Sequence, residues 1–437
     1  MPDCVHSCNP AGNHLLWRFV KLKLLGKLAL LLPAVCPSLA GVQLLAAGDW
    51  PEFRGPTGQG LATATNVPIH WSNTSNVVWQ TPIPGDGWSS PVLGDGKLYL
   101  TTATTTTNTS LRAICVAASD GRILWNVEVL QPEPGAPQKI HNKNGLASPT
   151  PIVRDGRLYV HFGHMGTAAL DLSGKVLWRQ TSLKYSPVHG NGGSPALVGD
   201  ALVFSCDGAT DPLLAALDAQ TGGVRWKTPR NITANKSFSF STPLVIETGG
   251  GKQIISPASG FVGAYDPSDG REIWRVRYDG FSLVPRPVFA HGLLYLSSGF
   301  MKPVLYAIRP AGAKGDVTDT HVVWTHTKGV PNTPSPLVAD DEIYIVSDGG
   351  IATCLDARTG TVHWNERLGG DFSASPVFAE GRLYFQNEAG IGYVLKAGKT
   401  FEVLAKNELG ERTLASPAIV DNTIFLRSKS HLWRIGK

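Results

Sequence analysis

One short pattern recurs eight times in this chain of 437 residues. Each copy has a proline, usually after a small residue, then apolar residues, a turn, and an aromatic or apolar residue eight positions after the proline. The prolines stand at positions 91, 151, 195, 243, 287, 336, 376 and 417, so the steps are 60, 44, 48, 44, 49, 40 and 41 residues. A repeat of this length is typical of propellers and solenoids. It predicts one repeated domain, where length alone suggests two or three.

Each copy has the pattern of four strands. The apolar run after the proline and the alternating segment that follows form a hairpin across a Gly, Asp or Asn turn. A second hairpin turns at a glycine and ends in tryptophan in most copies. Four strands make a propeller blade, and a tryptophan at a fixed place suits packing between blades. The predicted docking residues are Trp79, Trp125, Trp178, Trp226, Trp274, Trp324 and Trp364.

The last copy ends after its third strand, and the segment 76–83 near the N-terminus has the pattern of the missing strand. Pairing these two segments would close the ring without leaving a sheet edge. The sequence therefore predicts an all-β, eight-bladed β-propeller of four-stranded antiparallel blades over residues 76–437, closed by the N-terminal strand, with an extension at 41–75. A seven-bladed ring would require the irregular copy at Pro243 to be an insertion.

Residues 1–40 have the pattern of a signal peptide. Arg18, Lys21, Lys23 and Lys27 precede an apolar run, and Ser38-Leu39-Ala40 offers small residues for cleavage. An uncleaved anchor is the alternative, because residues 28–47 carry no charge and are about long enough to span a membrane. We expect export to the periplasm or cell envelope, with membrane contact only through an uncleaved leader.

Charge and cysteine content exclude two classes of function. Residues 1–40 carry four basic and one acidic side chain, so their removal lowers the net charge from +5 to +2. A chain with so little positive charge is not expected to bind nucleic acid. The remaining cysteines are Cys115, Cys206 and Cys354, and no CxxC pair stands among them. We interpret them as buried structural thiols.

A functional site is expected where loops from many blades meet. If the proline strand is innermost, the loops entering it and the loops between second and third strands surround one mouth of the central channel. The segment 131–145 is long enough to cross that mouth. The residues predicted to bind a ligand or partner there are His141, Lys143, Asn144, His189, Asn191, Asp207 and Asp211. Two His and two Asp residues could hold a divalent metal, and a His/Asp pair could act as a general base. The alternative is that these side chains fix irregular loop backbone.

The segments ALDAQTGGVRW and CLDARTGTVHW resemble the repeat of PQQ-like (pyrrolo-quinoline-quinone-like) propellers, which also occurs in quinoprotein alcohol dehydrogenases and in the BamB-type outer-membrane assembly propeller. The strings DWPEFRGPTGQG, HNKNGLASPTP, HGNGGSP and IVSDGG are similar to exported PQQ-like proteins of planctomycete-type bacteria. The resemblance covers residues 49–437 and implies the fold more strongly than the chemistry.

A quinoprotein resemblance would imply two adjacent Cys beside the quinone and acidic and amide ligands for calcium. The sequence has no adjacent Cys pair and no CxxCH haem motif, and Val35 before Cys36 departs from the lipoprotein signal. It also has no GxSxG, Walker or HExxH motif. We therefore expect a monomeric, non-enzymatic scaffold without a cofactor that binds an envelope protein or polymer at the mouth. A PQQ- or metal-dependent enzyme using the same mouth is the alternative.

Overall fold

The computed structural model describes residues 48–105, 108–132, 140–232 and 234–436. The predicted signal peptide at 1–40 lies outside these residues. Eight antiparallel sheets follow one another along the chain, and the innermost strands of successive sheets contact each other around a central channel. The fold is the predicted eight-bladed β-propeller.

Blades 1 to 4 follow the chain from the first repeat. Their strands, from the channel outward, are Val92–Gly94, Lys97–Thr104, Ser110–Ala117 and Ile123–Leu130; Ile152–Arg154, Arg157–His161, Thr167–Asp171 and Val176–Gln180; Ala196–Val198, Ala201–Cys206, Leu213–Asp218 and Val224–Pro229; and Leu244–Thr248, Gly251–Ala258, Phe261–Tyr265 and Glu272–Arg277. A short 3-10 helix, Gly163–Met165, joins two strands of blade 2.

Blades 5 to 8 complete the ring. Their strands are Val288–Ala290, Leu293–Ser297, Leu305–Ile308 and Val322–His326; Leu337–Ala339, Glu342–Val346, Ile351–Asp356 and Val362–Arg367; Val377–Ala379, Arg382–Gln386, Ile391–Lys396 and Val403–Glu408; and Ala418–Val420, Thr423–Arg427, His431–Gly436 and Val77–Pro82. An insertion in blade 5 contributes Gly315–Asp316, parallel to the outer strand of blade 4, and the helix Thr318–His321.

Closure follows the prediction. Val77–Pro82 pairs antiparallel with His431–Gly436 and becomes the outer strand of blade 8. The irregular copy at Pro243 forms a full blade, so the seven-bladed alternative is excluded. A closed ring leaves no gap between its first and last sheets.

The tryptophans at the outer strands contact the neighbouring blade. Six of the seven predicted ones donate an indole N–H to a backbone carbonyl of the next blade at 3.0–3.2 Å: Trp79, Trp125, Trp178, Trp226, Trp324 and Trp364. Trp274 differs, because it donates to Gln253 Oε1 of its own blade at 2.9 Å and is fully buried. The blade 5 insertion pairs with the strand that carries it.

The segment 49–62 enters the central channel, a position that the sequence analysis did not predict. Trp50 bridges Leu93 of blade 1, and the carbonyl of Pro51 accepts the Val153 N–H of blade 2. Leu61–Ala62 then pairs in parallel with the innermost strand of blade 7. We call residues 49–62 the plug, since they contact innermost strands of several blades.

Candidate functional site

The predicted mouth holds a cavity of about 490 Å³, which we call the mouth cup. It opens where the proline strands begin, and Phe53 of the plug lines it. Because the plug occupies the channel at this level, the cup is a recess in a rigid scaffold. Concave recesses of this size are where proteins usually bind ligands.

Seven hydroxyl residues line the cup, each directly before the proline of its blade. We call them the hydroxyl ring: Ser90, Thr150, Ser194, Thr242, Ser335, Ser375 and Ser416. The backbone N–H of a ring residue donates to the hydroxyl of the next blade, as from Ser90 to Thr150 at 3.0 Å and from Ser416 back to Ser90 at 3.1 Å. The small residue before each proline thus joins neighbouring blades.

Arg286 takes the eighth position of this ring and holds the plug. Its backbone N–H donates to Ser335 as in the other blades, at 2.9 Å. Its guanidinium donates to the Glu52 carboxylate at 3.2 Å and to the Phe53 carbonyl at 2.7 Å. The Arg286 and Glu52 side chains are 3% and 10% exposed, so this ion pair is almost fully desolvated.

Arg54 is a second buried cation of the plug. Its Nη2 lies 3.5 Å from the carbonyl oxygen of Pro376, and its Nε and Nη1 have no hydrogen-bond partner among the described residues. Burial lowers the pKa of Arg54 to about 9, and repulsion from Arg286 adds to the effect. The side chain therefore remains a cation at neutral pH.

Aromatic side chains from blades 2 to 5 form a continuous wall of the cup. The ring centroids of His141 and His189 are 5.7 Å apart, and each next pair along the wall lies 5.6–5.7 Å apart in edge-to-face geometry: His189–Phe238, Phe238–Phe281 and Phe281–Phe300. We call these five residues the aromatic arc. Phe300 at its end is 47% exposed and the adjacent Met301 is 68% exposed. An exposed apolar rim of this kind marks a surface for binding.

The opposite side of the cup is charged. Residues 140–147, which we call the mouth loop, reach from blade 2 across to blades 7 and 8. Lys143 Nζ lies 2.8 Å from the Glu388 carboxylate, which also lies 3.7 Å from Arg412, and Arg412 donates to the Asn142 carbonyl at 3.3 Å. Burial opposes ionisation of Glu388, but hydrogen bonds from Lys143 and Ser373 hold its pKa below the usual value. The loop is thus fastened across the mouth at neutral pH.

The structure brings four of the seven predicted site residues together. His141, Lys143, Asn144 and His189 line the mouth cup, and the Asn144 amide donates to the His189 carbonyl at 3.0 Å.

The other three predicted residues lie outside the mouth cup. Asn191 is buried, where it accepts from Tyr185 and donates to the Phe162 carbonyl. Asp207 accepts two hydrogen bonds of 3.0 Å from Arg230 with both side chains buried. Asp211 is exposed with a φ of 48°. These contacts match the alternative in which loop side chains fix backbone.

The sequence analysis missed Phe238, Phe281 and Phe300 of the aromatic arc and the hydroxyl ring. The ring did have a signal, since seven of eight pre-proline residues are Ser or Thr and the eighth is Arg286. The phenylalanines had none, because they come from loops far apart in sequence and meet only through the ring geometry.

Comparison with known proteins identifies the family. The family described as outer membrane protein assembly factor BamB matches residues 64–245, 211–328 and 258–432. The chain belongs to this family. Its matches overlap and extend over most of the propeller, as the repeats do.

Individual relatives are more distant. A quinohemoprotein alcohol dehydrogenase, ADH IIB of Pseudomonas putida, is 32% identical over 149 residues, which are 31% of this chain and 21% of that protein. The chain thus matches about a fifth of the length of this curated relative.

Solved structures resemble the chain in fold. BamB from Moraxella catarrhalis has a TM-score of 0.57 at 14% identity over 82% of this chain and 97% of its own. A europium-containing methanol dehydrogenase has a TM-score of 0.66 at 10% identity over 90% and 98%. At these identities the likeness extends to the fold alone.

The residues of the cup do not fit a quinone with a calcium ion. Cys115, Cys206 and Cys354 are buried in three different blades, so no two of them could lie side by side. Among the described residues, no three His, Cys, Asp or Glu side chains are grouped so that they could hold a metal. The Asp348 carboxylate accepts the Asn332 N–H at 2.6 Å, and Glu388 is paired with Lys143.

In the part of the chain that the structure describes, no helix is long and apolar enough to cross a bilayer.

Proposed function

We propose that this protein is an exported, non-enzymatic propeller scaffold that binds a partner protein or polymer in the mouth cup. The observation that carries the proposal is the aromatic arc, which faces a charged mouth loop across a recess of about 490 Å³. An apolar side chain of the partner would pack on the arc, and its polar groups would meet the loop. Membership of the BamB family supports an envelope location and a partner there.

The arc supplies the attractive surface. Burying one large apolar side chain contributes about 1.5–3 kcal/mol, and an edge-to-face aromatic contact about 0.5–1.5 kcal/mol more. Because the blades hold the arc in place, little ordering entropy opposes binding at these positions. Removing two rings of the arc is therefore expected to weaken binding by at least about tenfold.

Binding explains the cup better than catalysis. The carboxylates of Glu388 and Asp348 already accept hydrogen bonds from Lys143 and Asn332. A general base needs a lone pair directed at a bound substrate. These two carboxylates are instead used to fasten the loops of the mouth.

A quinone- or metal-dependent enzyme is the second candidate, and the local similarity to a quinohemoprotein dehydrogenase favours it. Metal analysis and the visible spectrum of protein purified from its own cells test it directly. Our proposal expects neither bound metal nor quinone absorbance, and either finding at stoichiometric amounts would favour the enzyme.

A pull-down from envelope extracts tests the proposed face. We expect the wild type to recover a partner that the pairs His141→Ala/His189→Ala and Phe238→Ala/Phe281→Ala do not. The control is Lys252→Ala, an exposed position on the turn between the first two strands of blade 4, at the opposite face. Equal recovery by all four proteins would refute the assignment of the face.

A further inference from the structure

The hydroxyl ring has unused hydrogen-bonding capacity. Its side chains are between 1% and 4% exposed, and each accepts a backbone N–H from the preceding blade. Ser375 donates its own hydrogen to Ser335 at 3.0 Å. The other six hydroxyl hydrogens have no acceptor among the described residues: Ser90, Thr150, Ser194, Thr242, Ser335 and Ser416.

Buried donors without acceptors are costly, and protein structures rarely leave several of them together. Here all six belong to side chains that line one cavity, the mouth cup. A hydroxyl that already accepts one hydrogen bond can still donate one. The ring is therefore a set of donors around the channel axis that a group rich in acceptor oxygens would satisfy.

The charges beside the ring favour an anion. Arg286 belongs to the ring, and its Nε donates to the carbonyl of Pro243, the residue after Thr242. Arg54 lies against the carbonyl of Pro376, the residue after Ser375. Glu52 is the one acid paired with these two guanidinium groups, so the three side chains sum to +1. Uncompensated positive charge in a buried position attracts anionic ligands.

We infer that the floor of the mouth cup is an oxyanion site, which takes the carboxylate of a ligand whose apolar body lies on the aromatic arc. This inference rests on the proposed function, because it specifies what the cup binds. The carboxylate could come from a small organic acid or from the C-terminus of a partner chain. In both cases its two oxygens accept hydrogen bonds from ring hydroxyls, and its charge offsets that of Arg54.

Matched acids and amides test the inference by calorimetry on the purified protein. Phenylacetate and phenylacetamide have the same ring, as do the free-acid and amidated forms of an eight-residue peptide ending in phenylalanine. We expect each acid to bind at least about tenfold more tightly than its amide, because hydrogen bonds to a charged acceptor are the stronger ones. If the peptide acid binds tenfold tighter than phenylacetate, the source is a chain terminus; if the two are equal, it is a free acid.

Variants of the ring locate the effect. Thr150→Val with Thr242→Val keeps the shape but removes two donors, whereas Thr150→Ser with Thr242→Ser keeps them. The valine pair should lose most of the acid preference and still bind the amide, which shows that the cup is folded. The serine pair should retain the preference.

The result that overturns the inference is equal binding of acid and amide by the wild type, no binding of either, or an unchanged acid preference in the valine pair. Failure of the proposed function would be distinct. In that case the acid preference would persist, but the Phe238→Ala/Phe281→Ala pair would recover the same partners as the wild type.

Discussion

Replacing Arg286 by serine separates the role of the plug from that of the ring. Serine is the common residue at this position in the other blades, and its hydroxyl could accept a backbone N–H as theirs do. The substitution also removes the donors at 3.2 Å to Glu52 and at 2.7 Å to the Phe53 carbonyl. The Glu52 carboxylate would then be left in a desolvated place without its cation.

The magnitude follows from these contacts. Removing one partner of a buried ion pair costs about 3–5 kcal/mol. A new hydrogen bond from the Thr242 backbone to a serine at position 286 would return about 1 kcal/mol. We therefore expect Arg286→Ser to lower the free energy of unfolding by about 2–4 kcal/mol. Adding Glu52→Gln should restore part of this loss, because no unpaired carboxylate then remains.

Urea unfolding of the wild type, both single variants and the double variant measures the coupling. Trypsin cleavage after Arg54 reports release of the plug, since this residue is 1% exposed in the native protein. We expect faster cleavage in Arg286→Ser than in the wild type. Strictly additive losses in the four proteins, or an unchanged cleavage rate, would refute the assignment of Arg286 as the anchor of the plug.

Three further predictions concern blade docking and pH. Gly222→Ala should lower the melting temperature more than Gly156→Ala, although both have φ near +75°, because a Cβ at Gly222 would lie 2.5 Å from the Trp178 ring and one at Gly156 would meet nothing within 4 Å; equal shifts would contradict docking at Trp178. The mouth loop should stay fastened at neutral pH and detach as pH falls below about 4, because a lowered pKa of Glu388 stabilises the native state only while the carboxylate is ionised. Hydrogen exchange at residues 141–145 measures this, and Glu388→Gln should exchange quickly at pH 7; protection that is unchanged at pH 3 would contradict it. Burial and the neighbouring His164 lower the pKa of His161 to about 3, so below about pH 6.5 the native state should lose about 1.4 kcal/mol per pH unit as the unfolded chain takes up the proton. Urea unfolding at pH 5 and 7 should show a smaller loss for His161→Gln than for the control His70→Gln, and equal losses would contradict the burial of a neutral His161.

The fold was predictable because its determinants are local and repeated. A serine or threonine before proline joins two innermost strands, and a tryptophan after a glycine turn docks on the next blade, as Trp178 does on Ala219. Both patterns return at nearly constant intervals, so neither requires knowledge of a distant contact. Trp274 departs from the rule because the insertion with Gly315–Asp316 changes the edge it would otherwise meet.

The site was less predictable because its contacts join distant segments. Glu52 and Arg286 are 234 positions apart, and nothing in the period of residues 49–62 indicates a channel segment. The local sequence around Asp207 is that of an exposed loop, yet Arg230 at the end of another strand draws it into the interior. Lys143 was placed correctly at the mouth because the long step before Pro151 was visible in the repeat spacing.

Site-specific photo-crosslinking in intact cells tests the central claim, which is that the mouth cup binds a partner. A photoreactive amino acid replaces Met301 at the rim of the aromatic arc, and in a second protein it replaces Lys252 at the opposite face. The account predicts a discrete adduct from position 301 that disappears in the Phe238→Ala/Phe281→Ala background and is missing from position 252. The same adducts from both positions, or an adduct at 301 that survives the loss of both phenylalanines, would contradict it.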